Sequence, residues 1–115
     1  MLARMFRFHG YGSLKFVYQK GKLVRSRLIS LKYLPNTRRT QSRLAVVVSK
    51  KVTKKAPVRN RIRRRVYEVA RSEWSKLQHP QDMVITVFDD RISKLTSAEV
   101  TQLVQDLFRQ ANLYE

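Results

Sequence analysis

The spacing of hydrophobic residues predicts three β-strands in the chain. In residues 27–34 the side chains alternate, so that Leu31 and the residues two places from it fall on one face of an extended segment. Residues 43–49 are rich in valine, which favours a buried strand, and we expect this strand to pair antiparallel with the first. Residues 82–88, with the sequence DMVITVF, are the third predicted strand.

Two helices are predicted near the ends of the chain. The stretch SLKFVYQK begins with Ser13, a good N-cap residue, and is followed by Gly21, a residue that commonly ends helices. Further on, Thr96 and Glu99 have the spacing of a capping box. The apolar residues after Thr96 recur at helical spacing and predict a stripe that faces the core. This stripe consists of Val100, Leu103, Val104, Leu107 and Ala111, with Phe108 beside it.

A third helix is predicted in the middle of the chain, in its most basic part. Pro57 suits a first helical turn, where its missing N–H costs little. From Ile62 to Leu77 apolar residues recur at three- and four-residue steps, so this helix packs on the core through one stripe. The arginines of the helix lie outside that stripe or flank it: Arg61, Arg64 and Arg71 point away from the core, and Arg63 and Arg65 flank the stripe.

The predicted order of elements is α-β-β-α-β-α, an α+β sandwich in which helices lie on a small mixed sheet. A length of 115 residues with 43% hydrophobic residues fits one folded domain, with an extended N-terminal segment at residues 1–12. The chain has no cysteine, which excludes a disulfide framework. Its apolar runs are too short to span a bilayer, and we expect a cytoplasmic protein.

The positive charge of the chain is concentrated in its first part. Residues 1–67 contain 20 lysines and arginines and no acidic residue, whereas residues 68–115 contain 5 basic and 8 acidic residues. Such a domain repels itself unless counterions gather on it, and a polyphosphate is the densest source of negative charge. The charge pattern therefore indicates nucleic acid as the partner.

The densest basic stretch is residues 49–65, where nine of seventeen residues are lysine or arginine. A solvated helix face usually mixes acidic residues among the basic ones, and here the acidic residues are missing. Arginine binds phosphate through two parallel hydrogen bonds and stacks on unpaired bases, which favours structured RNA. The nine residues are Lys50, Lys51, Lys54, Lys55, Arg59, Arg61, Arg63, Arg64 and Arg65.

A second candidate surface lies between the first helix and the first predicted strand. Leu14, Tyr18, Ser30 and Lys32 can meet there across a groove. Aromatic and basic side chains along a groove suit a single nucleic-acid strand. The alternative is that Phe16 and Tyr18 are core-facing residues of a short helix.

Residue patterns typical of enzymes are scarce. The chain has no glycine-rich phosphate loop, nucleophile elbow or zinc-protease motif. His9 and His79 have no neighbours in the sequence arranged for metal binding. Asp89 and Asp90 follow a predicted strand, which fits either a metal site or a solvated turn. We predict no catalytic residue and no metal site, and we do not expect the chain to catalyse a reaction alone.

The segment SKKVTKKAPVRNRIRRRVYEVA, residues 49–70, resembles the signature of the bacterial ribonuclease P protein family. In that signature a strand ends in S-K-K, a short basic connection follows, and R-N-R opens a basic helix. The segment FVYQKGKLVRSRLISLKYLP resembles the helix, turn and first strand of the family, and DMVITV with the capped helix resembles its end. The resemblance covers most of the chain. It implies the α-β sandwich of this family, a fold shared with a domain of a ribosomal protein.

The resemblance also implies a function. In this family the protein assists a catalytic RNA that removes the 5′ leader of precursor transfer RNA (tRNA) by magnesium-dependent hydrolysis. The implied partners are the catalytic RNA and precursor tRNA, with magnesium held mainly by the RNA; neither a membrane nor a protein partner is implied.

Site residues are implied by matching positions to the motifs of the family. Contacts to the catalytic RNA are expected from Lys50, Lys51, Lys54, Lys55, Arg59, Asn60, Arg61, Arg63 and Arg64. Contacts to the leader are expected from Leu14, Tyr18, Arg27, Ser30 and Lys32. Leu14 stands where the family has an aromatic residue, and Tyr33 lies one place beyond the usual strand tyrosine, so either Lys32 or Tyr33 is the contact on the strand.

Two other functions fit the charge. One is a structural protein that binds ribosomal RNA and has no role in precursor cleavage. The other is a DNA-binding protein that places its basic helix in a major groove. Five arginines in the seven residues 59–65 favour phosphate neutralisation over the reading of bases.

Overall fold

The computed structural model describes residues 11–36 and 42–114, and the side chains from residue 16 onward within them. The helices and strands are α1 (Tyr11–Lys20), β1 (Lys22–Arg25), β2 (Ile29–Pro35), β3 (Arg43–Val48), α2 (Ala56–Glu73), β4 (Gln81–Val87) and α3 (Ser97–Gln110). Short 3-10 helices follow α2 at Trp74–Lys76 and β4 at Asp90–Lys94. None of the described helices is long and apolar enough to cross a membrane.

The four strands form one mixed sheet in the order β1-β2-β4-β3. β2 is antiparallel to β1 and β4, whereas β3 is parallel to β4, with Val46 opposite Ile85 and Leu31 on the other side of Ile85. The expected antiparallel pairing of residues 43–49 with residues 27–34 is therefore wrong. β4 lies between these strands, and the connection from β3 through α2 is the long crossover that a parallel pair requires. The nearly continuous burial of β4 agrees with this inner position.

β1 is an element that the hydrophobic pattern did not reveal. It has four residues, and Val24 is the one that packs against the core. Gly21 lets the chain turn tightly from α1 into β1, since a Cβ there would lie 2.6 Å from the carbonyl oxygen of Val17 and 3.1 Å from that of Tyr33. The Gly21 N–H also closes the last turn of α1, donating to Val17 O at 2.8 Å.

Helices cover both faces of the sheet, and most of the core lies on the side of α2 and α3. On that side Leu31 and Ile85 are fully buried among residues such as Ile62 and Val104. α1 covers the other face, where Val17 is fully buried. Side chains of a strand alternate between its two faces. In β2, Leu31 therefore faces α2 and α3, whereas Ser30 and Lys32 face α1.

The helix ends agree with the sequence except at the start of α1 and at the end of α2. The predicted stripe of α2 runs to Leu77, but α2 ends at Glu73 and is followed by a 3-10 helix, after which Leu77 is extended. The capping box of α3 is confirmed, because the Thr96 hydroxyl accepts from the Glu99 N–H at 3.1 Å and the Glu99 carboxylate accepts from the Thr96 N–H at 3.0 Å. Pro57 lies in the first turn of α2, as predicted. Ser13 is not an N-cap, since α1 already begins at Tyr11. Residues 11 and 12 therefore belong to α1, and the rest of the expected extended segment lies outside the described residues.

Candidate nucleic-acid interface

The orientation of α2 is fixed by its buried side. Ile62, Val66 and Ala70 are fully buried against the sheet. The hydroxyl oxygen of Tyr67 accepts a hydrogen bond from the backbone N–H of Val46 at 3.3 Å, on the edge strand β3. Because these contacts prevent α2 from rotating, they determine which of its arginines face solvent.

The exposed basic residues of α2 and of the connection before it form one surface. Arg61 and Arg64 are exposed on α2, and four exposed lysines lie between β3 and the helix. We call this set the basic surface: Lys50, Lys51, Lys54, Lys55, Arg61 and Arg64. It contains most of the residues that the resemblance assigned to the catalytic RNA.

The remaining three residues of that assignment are held by local hydrogen bonds. Arg59 is half-buried and donates from Nη1 to the carbonyl of Thr53 at 2.9 Å, which ties the first turn of α2 to the preceding connection. Asn60 accepts a hydrogen bond from Nη2 of Arg63. A guanidinium has five N–H donors, so these bonds orient Arg59 and Arg63 and leave further donors for phosphate.

Two arginines of the basic half of the chain have structural partners that the sequence did not reveal. Arg65 donates from Nη1 to the carbonyls of Ile92 at 2.8 Å and Ser93 at 3.1 Å, and from Nη2 to another carbonyl of the same connection. Arg43 binds the carboxylate of Asp82 with Nε at 3.0 Å and Nη2 at 2.8 Å. Both arginines therefore fix one element against another.

Tyr18 and Lys32 meet on the α1 face of the sheet. The Lys32 ammonium donates to the carbonyl of Tyr18 and lies 5.6 Å from the centroid of its ring. Tyr18 is 38% exposed and Phe16 is 53% exposed, whereas Val17 between them is fully buried. The interpretation that Phe16 and Tyr18 face the core is therefore wrong. We call the surface around Tyr18 and Lys32 the α1 groove.

The other residues expected at the leader are placed differently. Ser30 lies on the α1 face but is buried. Tyr33 packs against the core on the opposite face, so Lys32 is the residue of this pair that the strand presents to α1. Arg27 lines a cleft of about 190 Å³ with residues of α3, among them Glu99. The side chain of Leu14 lies outside the described residues.

The adjacent acidic pair after β4 forms a turn. Asp89 accepts from the backbone N–H of Arg91 at 2.8 Å and from its Nε at 3.0 Å, and so caps the 3-10 helix that follows. The side-chain hydrogen bond from Arg91 is the main cause that lowers the pKa of Asp89. Across the described residues, no three side chains of the metal-binding types cluster together. The hydrogen bonds between Asp89 and Arg91 fit the solvated-turn interpretation of this acidic pair.

The sequence of the chain is similar to those of proteins whose family is known. A protein of a Synechocystis species named ribonuclease P protein component is 31% identical over 99% of this chain and 91% of its own length. A protein of the same name from a Pseudanabaena species is 41% identical over 62% of this chain, and one from Thermus scotoductus is 37% identical over 79%. The matched segments span 61% and 49% of those two proteins.

Solved structures show the same fold. The ribonuclease P protein of Staphylococcus aureus superposes with a TM-score of 0.83 at 21% identity, over 96% of this chain and 98% of that protein. The protein from Thermotoga maritima superposes with a TM-score of 0.77 at 22% identity, over 90% and 96%. The family model described as ribonuclease P matches residues 2–112. The chain therefore belongs to the ribonuclease P family, as the protein component of that endoribonuclease.

Proposed function

We propose that the basic surface binds the catalytic RNA of ribonuclease P while the α1 groove holds the single-stranded 5′ leader of precursor tRNA. One observation carries the proposal: α2 and α1 lie on opposite faces of one sheet, and both of these sides of the domain carry cationic side chains that reach solvent. A domain of this kind can contact two polyanions at once. Its part in cleavage would be to bind and position RNA.

The basic surface would act by neutralising phosphates. Its exposed lysines and arginines concentrate charge on a short length of chain, and binding to RNA releases the counterions that otherwise surround both molecules. Arg59 and Asn60 support this role because their hydrogen bonds orient the first turns of α2. Arginine also offers paired N–H donors that match two phosphate oxygens.

The α1 groove would distinguish substrate from product. The ring of Tyr18 is partly exposed and has the Lys32 ammonium beside it, an arrangement suited to a stacked base and its phosphate. Mature tRNA has no leader, so contacts to the leader strengthen binding of the precursor alone. Binding of this kind favours the substrate and helps the product to dissociate.

Magnesium would be held mainly by the RNA. The chain would lower the magnesium concentration needed, because its cations reduce the repulsion between catalytic RNA and precursor. The cytoplasm is the proposed location, since bacterial tRNA precursors are made and processed there.

The test is reconstitution with the catalytic RNA of the same organism. We expect the chain to restore 5′ cleavage of precursor tRNA at a magnesium concentration at which the RNA alone is inactive. Omitting the chain and adding spermine at equal positive charge is the control for unspecific neutralisation. Equal rescue by spermine, or no rescue by the chain, would reject the proposal. Binding to ribosomal RNA with no effect on cleavage would favour the structural ribosomal alternative.

A further inference from the structure

An exposed aromatic ring and an arginine meet at one end of the sheet. The guanidinium carbon of Arg25 lies 4.6 Å from the ring centroid of Phe88, which is 42% exposed. Phe88 directly follows β4, and its N–H donates to the carbonyl of Leu28 at 2.8 Å, which fixes the backbone of Phe88 at the end of the strand. A large apolar side chain held in solvent beside a cation contributes little to the core.

The pair continues the α1 groove along β1. Val24 packs against the core, so its neighbours Leu23 and Arg25 face the α1 side of the sheet. Leu23 is directly opposite Lys32 in the β1–β2 pairing and is 58% exposed. Arg25 is two residues further, a step of about 7 Å along a strand, which one nucleotide of an extended single strand can span.

The chemistry of the surface formed by Leu23, Arg25 and Phe88 favours an unpaired RNA strand over a protein. A ring beside a guanidinium stacks well on a nucleobase, and the cation can at the same time contact a phosphate. Asp89, the residue after Phe88, pairs with Arg91 at 2.9 Å, and none of the ion pairs among the described residues involves Arg25. A second copy of this chain would bring the same net charge of +17 and would be repelled.

We propose that Phe88 and Arg25 form a second stacking position for the single-stranded 5′ leader, beyond the position at Tyr18 and Lys32. The inference rests on the proposed function, because it assumes that the leader enters the α1 groove. It adds that a leader long enough to reach Phe88 binds more tightly than one that ends at Tyr18. Leader length would then set affinity through two aromatic rings.

The test uses the holoenzyme and precursor tRNAs that carry a non-cleavable linkage at the scissile position. One series has a long leader and the other a leader of one or two nucleotides, with 2-aminopurine placed at successive positions of the long leader. We expect Phe88→Ala to weaken binding of the long-leader precursor by about 5- to 150-fold, the range for the loss of one stacked base. Binding of the short-leader precursor should not change. In the wild type, stacking on Phe88 should quench the fluorescence of the 2-aminopurine at one distal position of the long leader, and Phe88→Ala should abolish this quenching.

Matched variants separate stacking from other effects. Phe88→Trp should keep the affinity and Phe88→Leu should lose it, because leucine keeps the apolar surface without the ring. Arg25→Ala should weaken long-leader binding, whereas Lys94→Ala, which removes one exposed charge near α3, should not. Circular dichroism checks that each variant is folded.

The outcomes distinguish this inference from the function on which it rests. If the wild-type holoenzyme shows no preference for a leader, the proposed function fails. If it prefers a leader but Phe88→Ala leaves long-leader binding unchanged, the second stacking position is rejected and the proposed function stands. Self-association of the wild-type chain that Phe88→Ala abolishes would identify a second copy as the occupant and would also overturn the inference.

Discussion

The guanidinium of Arg65 donates a hydrogen bond to the backbone carbonyl of Ile92, 2.8 Å away. Ile92 is fully buried, so this bond joins α2 to an anchored part of the connection between β4 and α3. The next residue toward the N-terminus, Arg64, is exposed. Neighbouring arginines of one basic run therefore have different tasks: Arg65 holds the fold together, and Arg64 is available to a partner.

Replacing Arg65 with alanine should lower the free energy of unfolding by about 2 kcal/mol, because carbonyls of the connection lose a charged donor. Urea denaturation followed by circular dichroism measures this change. Arg64→Ala is the matched control and should alter stability by no more than about 0.5 kcal/mol. Similar losses in both variants would contradict the distinction between the two arginines.

Replacing Arg61 or Arg64 with alanine should weaken binding to the catalytic RNA while leaving the fold intact. Each lost phosphate contact should make the slope of log affinity against log salt concentration shallower by about 0.7 to 0.9. Binding titrations over a series of salt concentrations give this slope. Arg109→Ala removes the same charge from α3, where Arg109 pairs with Asp106, and should leave the slope unchanged. An equal change for Arg109→Ala would mean that total charge, and not the basic surface, controls binding.

Hydrophobic spacing predicted the long elements because that signal is local. The alternation in β2, the apolar run in β4 and the capping box at Thr96 each depend on residues close together in sequence. Strand order depends on partners far apart. The hydrophobic pattern of β3 is equally compatible with a place beside β2 or beside β4. Nothing in that pattern therefore predicts the parallel pairing with β4.

The candidate site also has one part that local sequence patterns predict and another part that depends on distant contacts. Exposed arginines such as Arg61 follow from the position of the apolar stripe on α2. The partners of Arg65 are backbone carbonyls, which any residue could supply, so the sequence contains no trace of that contact. The hydrophobic pattern of residues 82–88 places Phe88 at the end of an apolar strand. Its position beside Arg25 depends on the place of β1 in the sheet, which the pattern does not contain.

Replacing Asp82 with alanine should destabilise the fold by about 3 kcal/mol, because its largely buried carboxylate binds Arg43 and also accepts from Asn36 at 2.8 Å. The measurement is the urea midpoint and slope of the variant against wild type. Asp106→Ala removes an exposed carboxylate paired with Arg109 and should cost less than about 1 kcal/mol. If Asp106→Ala proved as damaging as Asp82→Ala, burial would not be the reason for the effect.

The capping box of α3 should make stability depend on pH in the acidic range. The backbone N–H of Thr96 bonds the Glu99 carboxylate and lowers the pKa of that group from its usual value of 4.5. A lowered folded-state pKa means that the unfolded chain takes up the proton first. The stabilisation is therefore complete above the usual pKa and is lost as the pH falls through the lower, folded value.

Glu99→Gln tests this dependence, since glutamine still accepts a hydrogen bond but does not titrate. Unfolding free energies of wild type and variant should differ most near neutral pH and converge as the pH falls below the lowered, folded-state pKa of Glu99. Urea denaturation at a series of pH values gives both curves. A difference that stays constant over this range would show that the charge of Glu99 adds nothing to the cap.

Replacing Tyr18 with alanine should reduce the preference of the holoenzyme for precursor over mature tRNA. The exposed ring contributes little to the core, so its loss should cost about 1–3 kcal/mol of leader binding rather than stability. Tyr18→Phe keeps the ring and should retain most of the preference. Lys32→Ala removes the ammonium that lies beside Tyr18 and should weaken leader binding in a salt-dependent way. The measurement is the dissociation constant of each variant for precursor and for mature tRNA. If Tyr18→Ala weakened the binding of precursor and of mature tRNA by the same factor, the ring would not contact the leader.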